Sequence, residues 1–331
     1  MNFVSIIVPC YNEEKSISFL LTALYRQNYQ KDSMEIIIVD GLSTDNTIKE
    51  ISSFAEVHPD LNIRVIPNSK KIIPAAINLG ILNSNGEIIV RMDAHSVPDQ
   101  DYIKYCVENL KNNIAANVGG KWQIIPGSES LIAKCISLAA GHPFGVGDAK
   151  YRYSQTAEYV DTVPFGAFYK SLTDEIGLFN EELLANEDYE FNVRIRNSGK
   201  KIYFDPKITT KYIARENWVD LAKQYWRYGY WKFKMLKNYP DTLRWRQAIP
   251  PVFVAGIIFL LLLALFFSTA FILFSIILSV YIFVLVLGTL FSIKKTKNFL
   301  CIFGVPISIM VMHFSWGLGF IYSFFSGLGK K

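Results

Sequence analysis

The chain has 331 residues, 51% of them hydrophobic, with 34 Lys and Arg against 29 Asp and Glu for a formal net charge of +5. A mean hydropathy of +0.21 is too high for a wholly soluble protein, and the excess is concentrated near the C-terminus. Pro250 to Ile293 carries no charged residue, and Phe299 to Gly329 has no Asp, Glu, Lys or Arg and a single histidine, His313. A spanning helix needs roughly 20 apolar residues, so these blocks are expected membrane segments, at about 251–268, 271–292 and 299–325. The first two form a helical hairpin turning at Ser268-Thr269-Ala270, and the third is one long helix or a broken pair. Residues 223–247 carry a net +6, leaving 1–222 at −6. An acidic main domain argues against a nucleic-acid partner, while a basic stretch abutting the first apolar block favours the cytoplasmic, anionic-lipid side. Cys10, Cys106, Cys135 and Cys301 have no metal or redox spacing, which implies a reduced, cytosol-facing domain.

Met1-Asn2-Phe3-Val4 lacks the basic start and apolar core of a signal peptide and reads as the lead into a first strand. Val4 to Val8 has the apolar run of a buried strand, followed by Pro9-Cys10-Tyr11-Asn12-Glu13-Glu14 and a helix with Ile17, Leu20, Leu21 and Leu24 at helical spacing. Glu35 to Val39 is a second strand; the loop from Asp40 to Thr47 is rich in short polar side chains that cap a helix over 47–55. Ile63 to Ile66 is a third strand. Two strand–helix units in succession predict a doubly wound, Rossmann-like parallel sheet. No G-x-G-x-x-G follows the first strand, so NAD-type dinucleotide binding is unsupported.

Ile88 to Val90 is a further strand and ends in Arg91-Met92-Asp93-Ala94-His95. Open α/β sheets bind ligands at the carboxyl ends of their strands. Asp93 and His95 leave the same face of an extended backbone, so they can share a divalent cation that holds a diphosphate. An Asx turn beside a solvated histidine is the alternative. Asp101 to Leu110 reads as a helix, Val118 to Ile124 as a strand and Leu131 to Ala140 as an apolar helix. Glu187 and Asp188 open a helix that runs to Arg196 and is closed by Gly199, and acids at that position complement the helix dipole. Asn217 to Lys237 alternates aromatic and basic residues, the composition of an amphipathic helix lying among lipid headgroups.

Pro9-Cys10-Tyr11-Asn12-Glu13, Ile38-Val39-Asp40-Gly41-Leu42-Ser43-Thr44-Asp45 and Arg91-Met92-Asp93-Ala94-His95 together resemble the nucleotide-sugar site of family 2 glycosyltransferases, which have the GT-A fold. Residues 144–166, Asn186-Glu187-Asp188 and Gln224 to Gly229 are similar to membrane-anchored transferases of exopolysaccharide assembly, most nearly the succinoglycan-type β-1,3-glucosyltransferase group. The resemblance covers roughly residues 3–240. It implies that Glu13 and the backbone around Pro9 and Tyr11 line the nucleotide. Asp40 would accept a hydrogen bond from uracil, with Asp45 a weaker candidate for the same pocket. The loop from Asn68 to Asn78, with Lys70 and Lys71, would cover ribose and phosphate. Asp93 and His95 would hold the metal beside the sugar diphosphate, in place of the wider family's Asp-x-Asp. Histidine favours Mn²⁺ over Mg²⁺ and predicts that metal dependence weakens below about pH 6.5.

The same resemblance makes Asp188, with Glu187 beside it, the general base that takes the acceptor hydroxyl's proton. It makes Phe165 and Gly166 the floor of the acceptor pocket, and gives Arg227 a diphosphate contact and Tyr228 an acceptor contact, on a Gln-x-x-Arg element whose usual Trp is Tyr here. Gly141 to Gly147 either touches lipid or closes over the acceptor, or is packing and turn chemistry. The expected plan is a GT-A domain over 1–215, an amphipathic interfacial linker over 216–248 and a transmembrane region over 249–327. The catalytic domain is cytoplasmic on a multi-pass cell-membrane protein. The expected reaction moves a hexose from a UDP-sugar, with inversion, onto a polyprenyl-diphosphate-linked glycan. A polyprenyl-phosphate sugar synthase and a non-catalytic nucleotide-sugar sensor are the competitors; about three spans leave little room for a polymerase channel. Charge bias returns Lys294, Lys295 and Lys297 to the cytosol and makes the side of Lys330 and Lys331 depend on whether the last segment is one span or two.

Overall fold

The apolar runs of the N-terminal third become adjacent parallel strands in a computed structural model that describes residues 2–293 and 298–328. β1 (Val4–Cys10), α1 (Ile17–Tyr25), β2 (Met34–Asp40), α2 (Thr47–Val57), β3 (Asn62–Pro67), α3 (Ile73–Leu82) and β4 (Ile88–Arg91) alternate. β1 lies between β2 and β4, parallel to both, and β3 continues the sheet beyond β2. The residues of β1 and β2 are buried almost throughout, the condition under which strands read as unbroken apolar runs. The polar exceptions are paired: Ser5 Oγ donates to Glu35 at 2.6 Å, and Asn85 N–H and Arg64 Nη2 donate to the same carboxylate at 2.6 and 2.8 Å.

Then come β5 (Val97–Pro98), α4 (Tyr102–Lys111), β6 (Asn117–Ile125), α5 (Leu131–Ala140), α6 (Pro143–Val146), β7 (Glu158–Tyr159), β8 (Ala167–Tyr169), α7 (Leu172–Ile176), α8 (Glu187–Asn197) and β9 (Ile202–Ile213). Here the sheet departs from an all-parallel expectation. β8 runs antiparallel to both β4 and β6, and the strand order is β3-β2-β1-β4-β8-β6-β9-β5, with β7 on β9. Sequence periodicity misses β9 because it is half-buried and interrupts its apolar positions with Asp205, Pro206, Lys207 and Lys211.

The chain divides into two compact units, Met1–Gln123 with Tyr153–Tyr212, and Ile124–Arg152 with Ile213–Lys331. In this division α5 and α6 are grouped with the C-terminal helices. Those are α9 (Trp218–Asn238), α10 (Trp245–Leu263), α11 (Ser268–Ile293) and α12 (Cys301–Leu328). Among the described residues, three helices are long and apolar enough to cross a membrane: Trp245–Leu263, Ser268–Leu290 and Cys301–Ser326. The break between the first two falls at 264–267, so Ser268, Thr269 and Ala270 are helical rather than a turn. The last segment is one continuous helix in spite of Pro306. Lys294, Lys295, Lys297, Lys330 and Lys331, on which the charge-bias topology rests, lie outside the described residues.

α12 buries the largest share of its surface of the three. Cys135, Ile136 and Ala139 of α5 form one apolar cluster with Val305, Ile309 and Met312 of α12 and with Leu221 and Tyr225 of α9. Along α9 and α12 the backbones touch: a Cβ on Gly229 would sit 2.1 Å from the Trp316 carbonyl oxygen, and one on Gly319 would sit 2.3 Å from that of Trp226. Small residues at such crossings let helices pack at backbone distance. The segment from Gly141 to Gly147 is packed, not loose: His313 Nε2 lies 2.8 Å from the Phe144 carbonyl oxygen, and the Phe144 ring lies against Gly288.

Candidate active site

Strand register brings the functional loops together. Cys10 of β1 is level with Asp40 of β2, and Ile7 with Arg91 of β4, so the chain leaves all three strands at one end of the sheet. The loops then lace into each other. Asn12 N–H donates to Ser43 Oγ at 2.9 Å, Thr44 N–H to Asn12 Oδ1 at 2.8 Å, and Asn68 N–H to the Asp40 carbonyl at 2.7 Å. Asn12, Leu42 and Lys71, in the loops after β1, β2 and β3, take positive φ, as do Phe165 before β8 and Asn186 before α8. Non-glycine residues in this region cost about 1–3 kcal/mol each and gather where function requires a set loop shape.

The structure distributes the expected nucleotide residues unevenly. Tyr11 is exposed in the loop after β1, and Pro9 is the last residue but one of that strand. Asp40 is buried, and its two oxygens accept from Ser43 N–H at 3.0 Å and Ser43 Oγ at 2.5 Å. Asp45 serves the loop: it accepts from Thr47 N–H, Thr47 Oγ1 and Glu14 N–H. Although partial burial opposes its charge, these bonds hold its carboxyl below the usual range. Asn68 is buried and shapes its own turn, donating to the Ile72 carbonyl and accepting from Lys70 N–H. Lys70 pairs with Glu181 at 2.5 Å on the surface. Lys71 stands with its Nζ 5.9 Å from the Tyr11 ring centroid. Cys10 is inert, since burial and the carboxylates of Glu13, Asp40 and Asp45 push its thiol far up.

Arg91 is the centre of the site, and sequence reasoning passed over it. Its side chain is 3% exposed; Nη1 lies 2.9 Å from Asp93 Oδ1 and 3.5 Å from Asp188 Oδ2, and Nη2 lies 3.4 Å from Glu187 Oε1. Burial works against its charge, but the fields of Asp188, Asp93 and Glu187 outweigh that, so the guanidinium stays charged. The available signal was its place at the end of an apolar strand, where arginine is almost never buried unless paired. Asp188 sits in the first turn of α8, whose position is set by Phe191 stacking on Phe179 at 4.2 Å and by Arg194 hydrogen-bonding the carbonyls of Gly177 and Leu178. Burial, with the charges of Glu187 and Asp93, pushes the Asp188 carboxyl up to about 7 against the pull of Arg91. A carboxylate near neutrality suits proton abstraction at physiological pH.

Asp93 and His95 are brought together: His95 Nε2 lies 3.8 Å from Asp93 Oδ2, and both side chains are partly exposed. Among the described residues, no group of three or more His, Cys, Asp or Glu side chains is arranged to hold a metal ion. The pair nevertheless fits a divalent cation whose other ligands come from substrate: a carboxylate oxygen and an imidazole nitrogen face each other, with an exposed side for diphosphate oxygens. Glu13, expected at the nucleotide, has its Oε1 3.0 Å from His95 Nδ1. Burial raises its carboxyl, but hydrogen bonding from His95 and Ser16 prevails and keeps it below the usual range.

Phe165 and Gly166, expected at the acceptor floor, lie against Arg91. Phe165 is 2% exposed, with its ring 4.9 Å from the Arg91 guanidinium carbon and 5.3 Å from the Trp122 ring. Gly166 is buried and its carbonyl accepts from Arg91 N–H at 3.1 Å. Both contacts help to hold Arg91 in place. Arg227 and Tyr228 belong to the second unit, where Arg227 is exposed on α9 and Tyr228 accepts from Gln224 Nε2 at 3.2 Å.

Residues 5–177 match the model of the family described as Glycosyl transferase family 2. A dolichyl N-acetyl-α-D-glucosaminyl phosphate 3-β-D-2,3-diacetamido-2,3-dideoxy-β-D-glucuronosyltransferase of Methanococcus voltae is 30% identical over 336 residues, spanning 100% of this chain and 98% of its own. The succinoglycan biosynthesis protein ExoA of Rhizobium meliloti is 28% identical, over 78% of each chain. In fold, the chain is similar to the mannosyltransferase PcManGT of Pyrobaculum calidifontis, solved with GDP-Man and Mn²⁺. The TM-score is 0.68 at 17% identity, over 97% of this chain and 87% of that one.

Proposed function

The chain belongs to glycosyltransferase family 2, and we propose that it transfers a hexosyl group from a UDP-sugar to a polyprenyl-diphosphate-linked glycan at the cytoplasmic membrane face, inverting the anomeric centre. The observation that carries this reading is the geometry in which the carboxylates of Asp188 and Asp93 are held together around the buried Arg91 guanidinium. An acceptor hydroxyl attacks the sugar C1 while Asp188 removes its proton, and the bond from C1 to the diphosphate breaks with its electron pair leaving on the nucleotide. One base and one displacement make an enzyme nucleophile unnecessary and invert C1. A divalent ion at Asp93 and His95, Mn²⁺ in preference to Mg²⁺, would neutralise charge that develops on the departing diphosphate. The Methanococcus relative is named for action on a dolichyl-phosphate-linked sugar, which supports a lipid-linked acceptor. Three apolar helices long enough to span support a membrane location for it. Arg227 and Tyr228 are assigned to the diphosphate and the acceptor on resemblance.

The test is nucleotide release from a panel of UDP-sugars and GDP-mannose, with Mn²⁺, in detergent, with polyprenyl-diphosphate-linked glycan. The same assay is run on Asp188→Asn and Asp93→Ala. Turnover of one UDP-sugar only with lipid-linked glycan, lost in both variants although each still folds cooperatively, is the expected result. Release with bare polyprenyl phosphate selects a synthase instead. Binding of a nucleotide sugar without release to any acceptor selects a sensor.

A further inference from the structure

Glu13 is held in place far more firmly than a ligand-lining side chain needs to be. Its backbone N–H donates to Thr47 Oγ1 at 2.7 Å, and its carbonyl accepts from Ser16 N–H at 3.0 Å and Ile17 N–H at 2.9 Å, which starts α1. Its carboxylate accepts from Ser16 Oγ on one oxygen and faces His95 Nδ1 at 3.0 Å with the other. The neighbouring Glu14 turns elsewhere, to Asn46 N–H at 3.0 Å. His95 sits in a turn closed by Ser96, whose N–H and Oγ both donate to the Asp93 carbonyl, at 3.0 and 2.7 Å. Asp93 in turn has Oδ1 on Arg91 at 2.9 Å, with Oδ2 towards His95 Nε2.

A carboxylate only accepts hydrogen bonds, so the Glu13 contact places a proton on Nδ1. The other ring nitrogen, Nε2, lies 3.8 Å from Asp93 Oδ2, a geometry in which a deprotonated Nε2 and that oxygen can take one cation between them. A ring nitrogen held by a carboxylate while the other meets a metal is a recurrent way of orienting histidine ligands and raising their basicity.

We propose that Glu13 is a positioning residue of the metal site, fixing the ring orientation and Nδ1–H tautomer of His95 so that Nε2 and Asp93 Oδ2 share one divalent cation. This rests on the metal-dependent transferase reading and changes the part Glu13 plays in it, from nucleotide contact to support of a metal ligand.

The test uses Mn²⁺ alone on the full-length protein in detergent, with no sugar donor. Free-Mn²⁺ electron paramagnetic resonance gives the affinity, and electron spin-echo modulation reports a nitrogen ligand. Glu13→Ala is expected to weaken Mn²⁺ binding by roughly 10–100-fold. Glu13→Gln, which keeps an acceptor oxygen, recovers part of that loss, and His95→Ala removes the nitrogen modulation. UDP affinity measured in EDTA stays within twofold of wild type in Glu13→Ala. Wild-type Mn²⁺ affinity in Glu13→Ala overturns the proposal, and so does an equal loss of UDP affinity in EDTA, which would return Glu13 to the nucleotide. Failure of the wild type to bind Mn²⁺ refutes the metal reading itself, a result distinct from either.

Discussion

Replacing Asp188 by Asn removes a proton acceptor while keeping the shape of the side chain, and the structure sets what should follow. The carboxyl is raised from 3.8 to about 7 by burial beside Glu187 and Asp93, against the pull of Arg91. Only the ionised form can take the acceptor's proton. With a pKa of about 7, roughly a tenth is ionised at pH 6 and roughly nine-tenths at pH 8, so single-turnover transfer should rise about tenfold between them. A divalent ion beside Asp93 offsets one of the neighbouring negative charges, so saturating Mn²⁺ should move the midpoint down. Asp188→Asn should lose about 10²–10⁴ in kcat and show no rise. Stability has the opposite sign. A folded-state pKa raised above the unfolded value gives a contribution that is complete below about pH 4 and lost as pH climbs through about 7. The inactive variant should therefore melt higher than wild type at pH 8, with the gap closing as pH falls towards 5. A variant that retains a tenth of wild-type kcat, or a wild-type rate flat from about pH 5.5 to 8.5, would refute this account of Asp188.

Arg91→Met leaves Asp93, Glu187 and Asp188 without their common cation. Removing one partner of a buried pair costs about 3–5 kcal/mol, so the yield of folded protein after heating should collapse, and Arg91→Lys should restore part of it. Glu35→Gln should destabilise by about 1.5–3 kcal/mol at pH 7. Burial opposes the Glu35 charge, but bonds from Ser5, Asn85 and Arg64 lower its pKa. Its contribution is thus present above pH 4.5 and lost as pH falls through the folded value, and acid unfolding curves of variant and wild type should converge. Gly229→Ala forces a methyl against the Trp316 carbonyl and should lower the thermal midpoint in detergent by an amount equivalent to about 1–3 kcal/mol. Gly256→Ala, with nothing within 4 Å, should leave it unchanged or raise it.

Local pattern was enough for the elements that bury an unbroken apolar run. β1, β2 and β4, the helices α1 and α2, and the three apolar C-terminal helices are legible because strand and span signals are properties of a few successive residues. β3 is legible from Ile63, Val65 and Ile66 although it is largely unburied. α3 is not: residues 73–78, expected in the loop after β3, open that helix. The motifs ending β1, β2 and β4 were legible for the same reason, and with them the family. Sheet order was not. The antiparallel β8, the irregular β9 and the grouping of α5 with α12 depend on pairings between distant segments.

The chemistry of the site divides along the same line. Asp93, His95 and Asp188 can be nominated from the sequence, but what each touches cannot. The contact between Glu13 and His95 joins positions 82 apart, and that between Arg91 and Glu187 joins positions 96 apart. Asp45 is drawn into capping Thr47, Phe165 is turned inward against Arg91, and Lys70 is taken up by Glu181. A side chain's residue type determines which bonds it is able to form. Which of them it forms is decided by the nearest competing charge or polar group, and only the folded sheet brings those competitors within reach.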